Sequence, residues 1–421
     1  MSSLDRSYLV VPLGPEAPLV ERLLADVAIR VELPPSQHRM AVERYEAVHN
    51  HIDRVGSLLE GRLTLFYPQG SMAIGATIRS WRRSEGYDID IVVEIDVPPG
   101  TPPARVLDIL FKAISGEPGS RYHGMVERQT RCVTVHYADG MHLDVTPACL
   151  VDEWDPRRSD IFHANPEKPA AEHRRVPMNA YAFVEWFKAI TPEAMSFADA
   201  YGQRARNRDP VFQEYAAEAL PVPEHPVITG NKSASVVALQ LVKRNRNLRY
   251  LRRSGRIPPS VMLSKLAAEV KVSGRSLVEA LDAISRHVLA TLEAAERAGR
   301  LVDVCNPRCD ADCFTDRWPE NRAAQQLYME DLRLFRRDLA EVVGGDLDLE
   351  GMQRLLGKMF GDEPSRKVIE GHYEELAGGI RNNRRGHAAT GAVIVGAPAI
   401  VRQSGVVAKP HTFYGSRWGL R

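Results

Sequence analysis

The sequence predicts an α+β protein, a mixed sheet with helices followed by a mainly helical second half. Three observations carry this. Residues 87–94 alternate like a strand, with Asp88 and Asp90 on one face and Ile89 and Ile91 on the other. Val133–Pro147 reads as a hairpin turning at Asp139-Gly140, which delivers Asp144 to the neighbouring strand. From Met178 to about Ile380 the apolar spacing is mostly helical.

The elements follow in order. Residues 1–35 are Pro-rich and weakly patterned, and read as an N-terminal arm along the surface. Over Ser36–Glu60, Met40, Val42, Tyr45, Val48, Ile52, Val55 and Leu58 recur at helical spacing. In Tyr67–Arg79 a Gly70-Ser71 turn opens a short helix. Free backbone N–H groups there, with the Ser71 hydroxyl, suit a triphosphate tail, and Gln69 is a further candidate contact. The acidic strand comes next, with Glu94 and Asp96 continuing its charged face as solvated charges near the strand end. Pro98–Pro103 links to a helix over Ala104–Ile114, and Asp152–Pro177 reads as an irregular crossing. The expected division is an arm over 1–35, a core with its long helix over 36–177, a second lobe over 178–386 and a tail over 387–421.

The two carboxylates on one strand edge repel unless a divalent cation lies between them. Mg²⁺ takes oxygen ligands of this kind together with phosphate oxygens. Asp88, Asp90 and Asp144 are therefore both the catalytic and the metal-ligating candidates.

Composition narrows the partners. Lys and Arg number 55 against 54 Asp and Glu, so there is no global charge for gripping a long nucleic acid, and no stable nucleic-acid partner is expected. No run approaches ~20 apolar residues and no signal peptide is evident, so a cytoplasmic protein without a membrane partner is expected. Five cysteines form an odd set, which argues against a secreted disulfide framework.

Pro68–Ser71, Gly75–Arg79, Tyr87–Asp90 and His142–Ala148 together resemble the bacterial cGAS/DncV-like nucleotidyltransferases, the CD-NTases of the polymerase-β-like superfamily. The resemblance extends through Met178–Phe187, Leu239–Asn247, Asn306-Pro307 and Phe314–Trp318, roughly residues 40 to 340. It implies a bilobed polymerase-β-like enzyme in which the Ser36–Glu60 helix spans the back of both lobes. Asp88 and Asp90 would bridge two Mg²⁺ (or Mn²⁺) ions, and Asp144 would hold the ion that activates the attacking ribose hydroxyl. Lys243 would meet the triphosphate, and Ser260, an N-cap by default after Pro258-Pro259, is a further triphosphate candidate. Ala76, where Thr often follows the second Gly, and Cys313, where Asn usually precedes Phe314, depart from the family pattern and bear on base selection.

Lys243–Arg256 holds seven basic residues, and its arginines read as a solvated face. Cys305, Cys309 and Cys313 are spaced by four, without the tighter pairs and fourth ligand of a zinc site, so zinc is not expected. Asp346–Gly351 opens like an EF-hand loop, but Gly357 stands where the bidentate Glu belongs, which excludes it.

The resemblance implies an enzyme that condenses NTPs, purines favoured, into a cyclic oligonucleotide messenger. In CBASS-type antiphage signalling that product activates a separate effector. Some such operons also encode a regulator or a ubiquitin-like ligase acting on the enzyme's C-terminus, for which Tyr414–Arg421 is a candidate. The alternatives are transfer to an RNA 3′-end or a small-molecule hydroxyl, and a catalytically silent nucleotide sensor.

Overall fold

The computed structural model describes residues 12–14, 16–79, 88–151, 157–191, 195–208, 232–272, 274, 276–381, 385–387 and 393–395. Seven strands form one mixed sheet: β1 (Leu63–Pro68), β2 (Asp88–Ile95), β3 (Val126–Arg128), β4 (Val133–His136), β5 (His142–Leu150), β6 (Ser159–His163) and β7 (Arg174–Met178). The main order is β1-β2-β5-β4-β3, with β6 pairing β5 and β7 pairing β6. Only β2 and β5 pair in parallel within this sheet, and their register sets Asp90 opposite Asp144. The predicted hairpin is β4–β5, closed by Tyr137 N–H to Met141 O at 3.0 Å, with Gly140 at φ 88° in the turn.

Among the described residues two helices precede β1: α1 (Leu19–Val31) and α2 (Pro35–Ile52). The α1 segment corrects the expectation of a surface arm. Leu23, Leu24, Val27, Ala28, Ile29 and Val31 are buried in the core of the helical half. Its acidic residues disguise it in sequence and are paired in the fold. Asp26 faces Arg204 and Arg208, and Glu21 accepts from the N–H groups of Leu277 and Val278 at 2.9 and 3.2 Å. The first eleven residues of the predicted arm lie outside the described set.

Pro35 occupies the first turn of α2, where its missing N–H costs nothing. The helix ends at Ile52, not Glu60, and the turns that follow leave Val55 and Leu58 in solvent. α2 packs behind the sheet with α4 (Pro103–Ser115), burying Tyr45, Val48, Leu107 and Leu110 beside Ile89, Ile91 and Leu143. α3 (Gly70–Ala73) is the short helix after β1. The Asp152–Pro177 crossing is more regular than expected, because β6 and β7 extend the sheet there. They also close over Glu94, which is fully buried, accepts from Ser159 Oγ and pairs with Arg157, each at 3.3 Å. Glu94 is thus not a solvated strand-end charge, whereas Asp96 is exposed.

The helical half contains α5 (Ala180–Ile190), α6 (Met195–Arg208), α7 (Ala234–Tyr250), α8 (Ser260–Ala268), α9 (Leu277–Arg297), α10 (Arg322–Val343), α11 (Leu349–Phe360) and α12 (Asp362–Arg381). Asn179, Ser233, Ser276, Asn321 and Asp348 cap α5, α7, α9, α10 and α11 through their side chains. Asp348, inside the excluded EF-hand look-alike, accepts from Gly351 N–H at 2.7 Å. A ribbon of β8 (Cys305–Asn306) and β9 (Cys309–Cys313) interrupts the helices. β10 (Arg385–His387) and β11 (Val393–Val395) pair with each other, and the rest of the predicted tail, including Tyr414–Arg421, lies outside the described residues. Among the described residues no helix is long and apolar enough to cross a membrane.

Candidate active site

A cavity of about 590 Å³ lies between the sheet and the helical half. Gln69, Gly70, Ser71, Asp88, Asp90, Lys243 and Ser260 all line it. Asp144 is the register partner of Asp90 across β2 and β5, so their side chains leave the same face of adjacent strands. Asp88 lies two residues before Asp90 on that face. Tyr87, the first residue of the acidic motif, is outside the described set.

Gly70 is fixed by this arrangement. It has φ +60°, and a Cβ there would lie 2.7 Å from Asp90 Oδ2. Gln69 N–H donates to Asp90 O at 2.8 Å, which clamps the turn to the acidic strand. Gln69 itself is the N-cap of α3, so Ser71 is inside the first turn and is not a plain cap.

The carboxylates are crowded. Asp90 is pushed up to about 7, first by its removal from water and then by the charges of Asp144 and Asp88. Asp88 is raised by the same loss of solvation and by Asp144, against the opposing pull of His142, whose Nδ1 is 3.4 Å away. Asp144 accepts from Thr134 Oγ1 at 2.5 Å, across the hairpin. Asp88 and Asp90, which resist ionising together, form with Asp144 a fitting oxygen-donor cradle for hard divalent cations, which relieve the repulsion.

The basic helix α7 corrects one expectation. Arg244 and Arg246 are buried, not solvated. Arg244 Nε donates to Phe360 O at 3.0 Å and Asn245 Nδ2 to Met359 O at 2.8 Å, at the carbonyl-rich C-terminus of α11 where cations are favoured. Arg246 donates to Pro258 O, Asn247 Oδ1 and Ser260 Oγ at 2.6, 2.7 and 3.0 Å. Ser260 is the first residue of α8 and Pro259 is its cap, so Ser260 is no N-cap; its hydroxyl faces Arg246. Lys243 is buried and donates to Ala76 O at 2.8 Å, while Gln240 Nε2 donates to Thr77 O at 2.9 Å. Burial and Arg246 push Lys243 down to about 7, with Asp90 opposing.

Sequence reasoning marked the Phe314 segment by resemblance but passed over Asp312. Asp312 and Phe314 line the cavity from the β8–β9 segment. Asp312 Oδ2 accepts from Asn306 Nδ2 at 2.9 Å and Asn179 N–H at 3.1 Å, and burial raises its pKa. Asn306 also donates to Asn179 O at 2.9 Å. No local pattern marks Asp312; the signals nearby were the Asn306-Pro307 pair and the Phe314–Trp318 stretch.

The chain is 40% identical over 412 residues to the cyclic dinucleotide synthase CdnG of Bradyrhizobium diazoefficiens, covering 96% of this chain and 97% of that one. The chain belongs to the bacterial CD-NTases. The structure of that CdnG in complex with GTP matches with a TM-score of 0.73 at 39% identity, over 86% of this chain and 100% of the other. A c-di-GMP synthase from Roseivirga ehrenbergii is 24% identical, covering 94% of this chain and 97% of its own. The family described as Second Messenger Oligonucleotide or Dinucleotide Synthetase domain matches residues 20–161. That span begins within α1 and ends within β6, so it includes all three carboxylates. The α+β, polymerase-β-like architecture with a helical C-terminal part is that of the CD-NTases.

Proposed function

We propose that this protein condenses purine NTPs, GTP among them, into a cyclic dinucleotide for CBASS-type antiphage signalling through a separate effector. The observation that carries the chemistry is the Asp90–Asp144 register pair with Asp88 beside it and the Gly70-Ser71 turn pressed on Asp90. The choice of GTP and of a two-membered ring rests on the CdnG–GTP complex and on the two relatives' names.

Asp88, Asp90 and Asp144 would hold two Mg²⁺ or Mn²⁺ ions. Such ions stabilise the attacking and leaving oxygens of an in-line displacement. Thr134 holds the Asp144 carboxylate in place. The Gly70-Ser71 turn and Lys243 receive the triphosphate, with Gln69 and Ser260 at its flanks. In each transfer a ribose hydroxyl bonds to the α-phosphorus of an NTP, the bond to pyrophosphate breaks, and the hydroxyl proton passes to solvent. A second transfer in the same cleft closes the ring. In this reading the core and second lobe meet at residues 177–178, with α1 assigned to the second lobe.

Purified protein with Mg²⁺ and labelled NTPs is expected to release pyrophosphate and form a phosphatase-resistant product. Omitting GTP should abolish that product. Transfer to added RNA or to a small-molecule hydroxyl, with no cyclic product, would defeat the proposal.

A further inference from the structure

Among the described residues, one cluster of metal-ligating side chains stands apart from the catalytic carboxylates. The ribbon pairs Cys305 directly with Cys313, while Cys309 pairs with Asn306 at the hairpin end. Asp303, just before the ribbon, turns its carboxylate onto the same point. Ligand atoms of Asp303, Cys305 and Cys313 all lie within 4.8 Å of one another. Asp303 Oδ1 accepts from Cys313 Sγ at 2.8 Å and from Cys305 Sγ at 3.7 Å. The two thiols are half-buried and the carboxylate is exposed, so an ion can enter from solvent.

We propose that Asp303, Cys305 and Cys313 form a structural binding site for Zn²⁺. Two thiols and one carboxylate form a softer donor set than the three catalytic carboxylates, and thiolate ligands select zinc over Mg²⁺. The even spacing of the cysteines concealed it, because strand pairing selects Cys305 and Cys313 and replaces Cys309 with Asp303. On binding, each thiol loses its proton to solvent as a sulfur–zinc bond forms, and the carboxylate and a water complete four-coordination. Burial and the neighbouring Cys313 and Asp303 push the Cys305 thiol up to about 12, an opposition to charge that a cation would remove.

The site's place gives it a consequence. The ribbon is held by Phe314 N–H to Val304 O at 2.8 Å and Val304 N–H to Thr315 Oγ1 at 2.9 Å. It carries Asp312 and leads into Phe314, and both line the cleft that Asp88 and Asp90 also line. An ion joining its two strands fixes that part of the cleft without touching the reacting atoms. Zinc is therefore expected to affect substrate KM more than kcat.

The test uses the reduced, full-length protein stripped of metal and titrated with Co²⁺ as a probe for zinc. One Co²⁺ per chain should give a thiolate-to-cobalt charge-transfer band, which oxygen-only sites such as the catalytic carboxylates do not produce, and Zn²⁺ should bleach it. The band should vanish in C305S/C313S and persist in C309S. Asp303→Asn should weaken Zn²⁺ by at least ~10-fold in competition with a chromophoric chelator. Should the double variant not fold, thiol counting decides on the wild type: Zn²⁺ should protect two of the five cysteines from a thiol reagent. Absence of the band, its persistence in folded C305S/C313S, or a Cys305–Cys313 disulfide that forms in preference to metal binding would overturn the proposal.

Discussion

At the residue scale, the proposed metal binding by the carboxylates would be a competition with protons. Asp90 sits near 7 and Asp88 is raised, so a divalent ion bound there would have to displace protons around neutral pH. The sign follows from the raised pKa. A carboxyl whose folded pKa lies above its unfolded value favours folding most at pH below the unfolded value, and that contribution fades as pH rises through about 4 to 7. Metal-free protein should therefore lose stability across that window, and Mg²⁺ should restore it increasingly towards pH 8. Mg²⁺ affinity should fall by about tenfold per displaced proton for each pH unit below 7. Calorimetry in buffers of different ionisation enthalpy counts the released protons; a pH-independent affinity would contradict this reading. Asp88→Ala, Asp90→Ala and Asp144→Ala should each lower activity by at least ~10²-fold, the scale of losing one strong transition-state stabiliser. Product release at fixed substrate checks it, and retention of full activity in any of the three would remove that residue from the site.

At the element scale, the geometry of short motifs is what controls the site. Gly70→Ala forces a Cβ to 2.7 Å from Asp90 Oδ2 and strains a backbone at φ +60°. Activity should drop by about 10²-fold, the scale of misplacing reacting groups, while the circular dichroism spectrum stays that of the wild type. Wild-type turnover in this variant would show that the turn tolerates displacement. The strand and hairpin that carry the carboxylates were legible in the sequence because period-two alternation and an Asp-Gly turn are local signals. The α1 helix was not, because Glu21 and Asp26 break its apolar pattern and are satisfied only by partners more than 170 residues away. Glu94, Arg244 and Arg246 were misread for the same reason: a charge looks solvated until the strand or helix end that receives it is known. Glu21→Ala should cost about 2 kcal/mol, since it leaves buried N–H groups at the start of α9 unpaired. Thermal unfolding measures that loss, and an unchanged midpoint would deny α1 a part in holding the helical half.

At the scale of the whole molecule, the cleft exists because helix α7 grips the loop that follows the Gly70-Ser71 turn. Lys243 and Gln240 bind consecutive carbonyls, Ala76 O and Thr77 O, and so tie the helical half to the catalytic sheet. Lys243 also lies near Asp90, which draws its depressed pKa partly back up. In the proposed reading an arriving triphosphate would add negative charge beside it and favour its protonated form, so the lysine would gain a partner as substrate binds. That interaction would persist from the bound state through the reaction, and uniform binding of this kind raises KM when it is removed. A hydrogen bond to a charged group contributes about 1.5–3 kcal/mol, so Lys243→Ala should raise the KM for NTP by roughly 10- to 100-fold. The saturated rate should change much less. Gln240→Ala serves as the comparison, since it loosens the same loop without removing a charge; its KM effect should be smaller and independent of salt. Steady-state kinetics on both variants separates the roles. An unchanged KM with a collapsed kcat in Lys243→Ala would move the lysine from substrate binding into the chemical step.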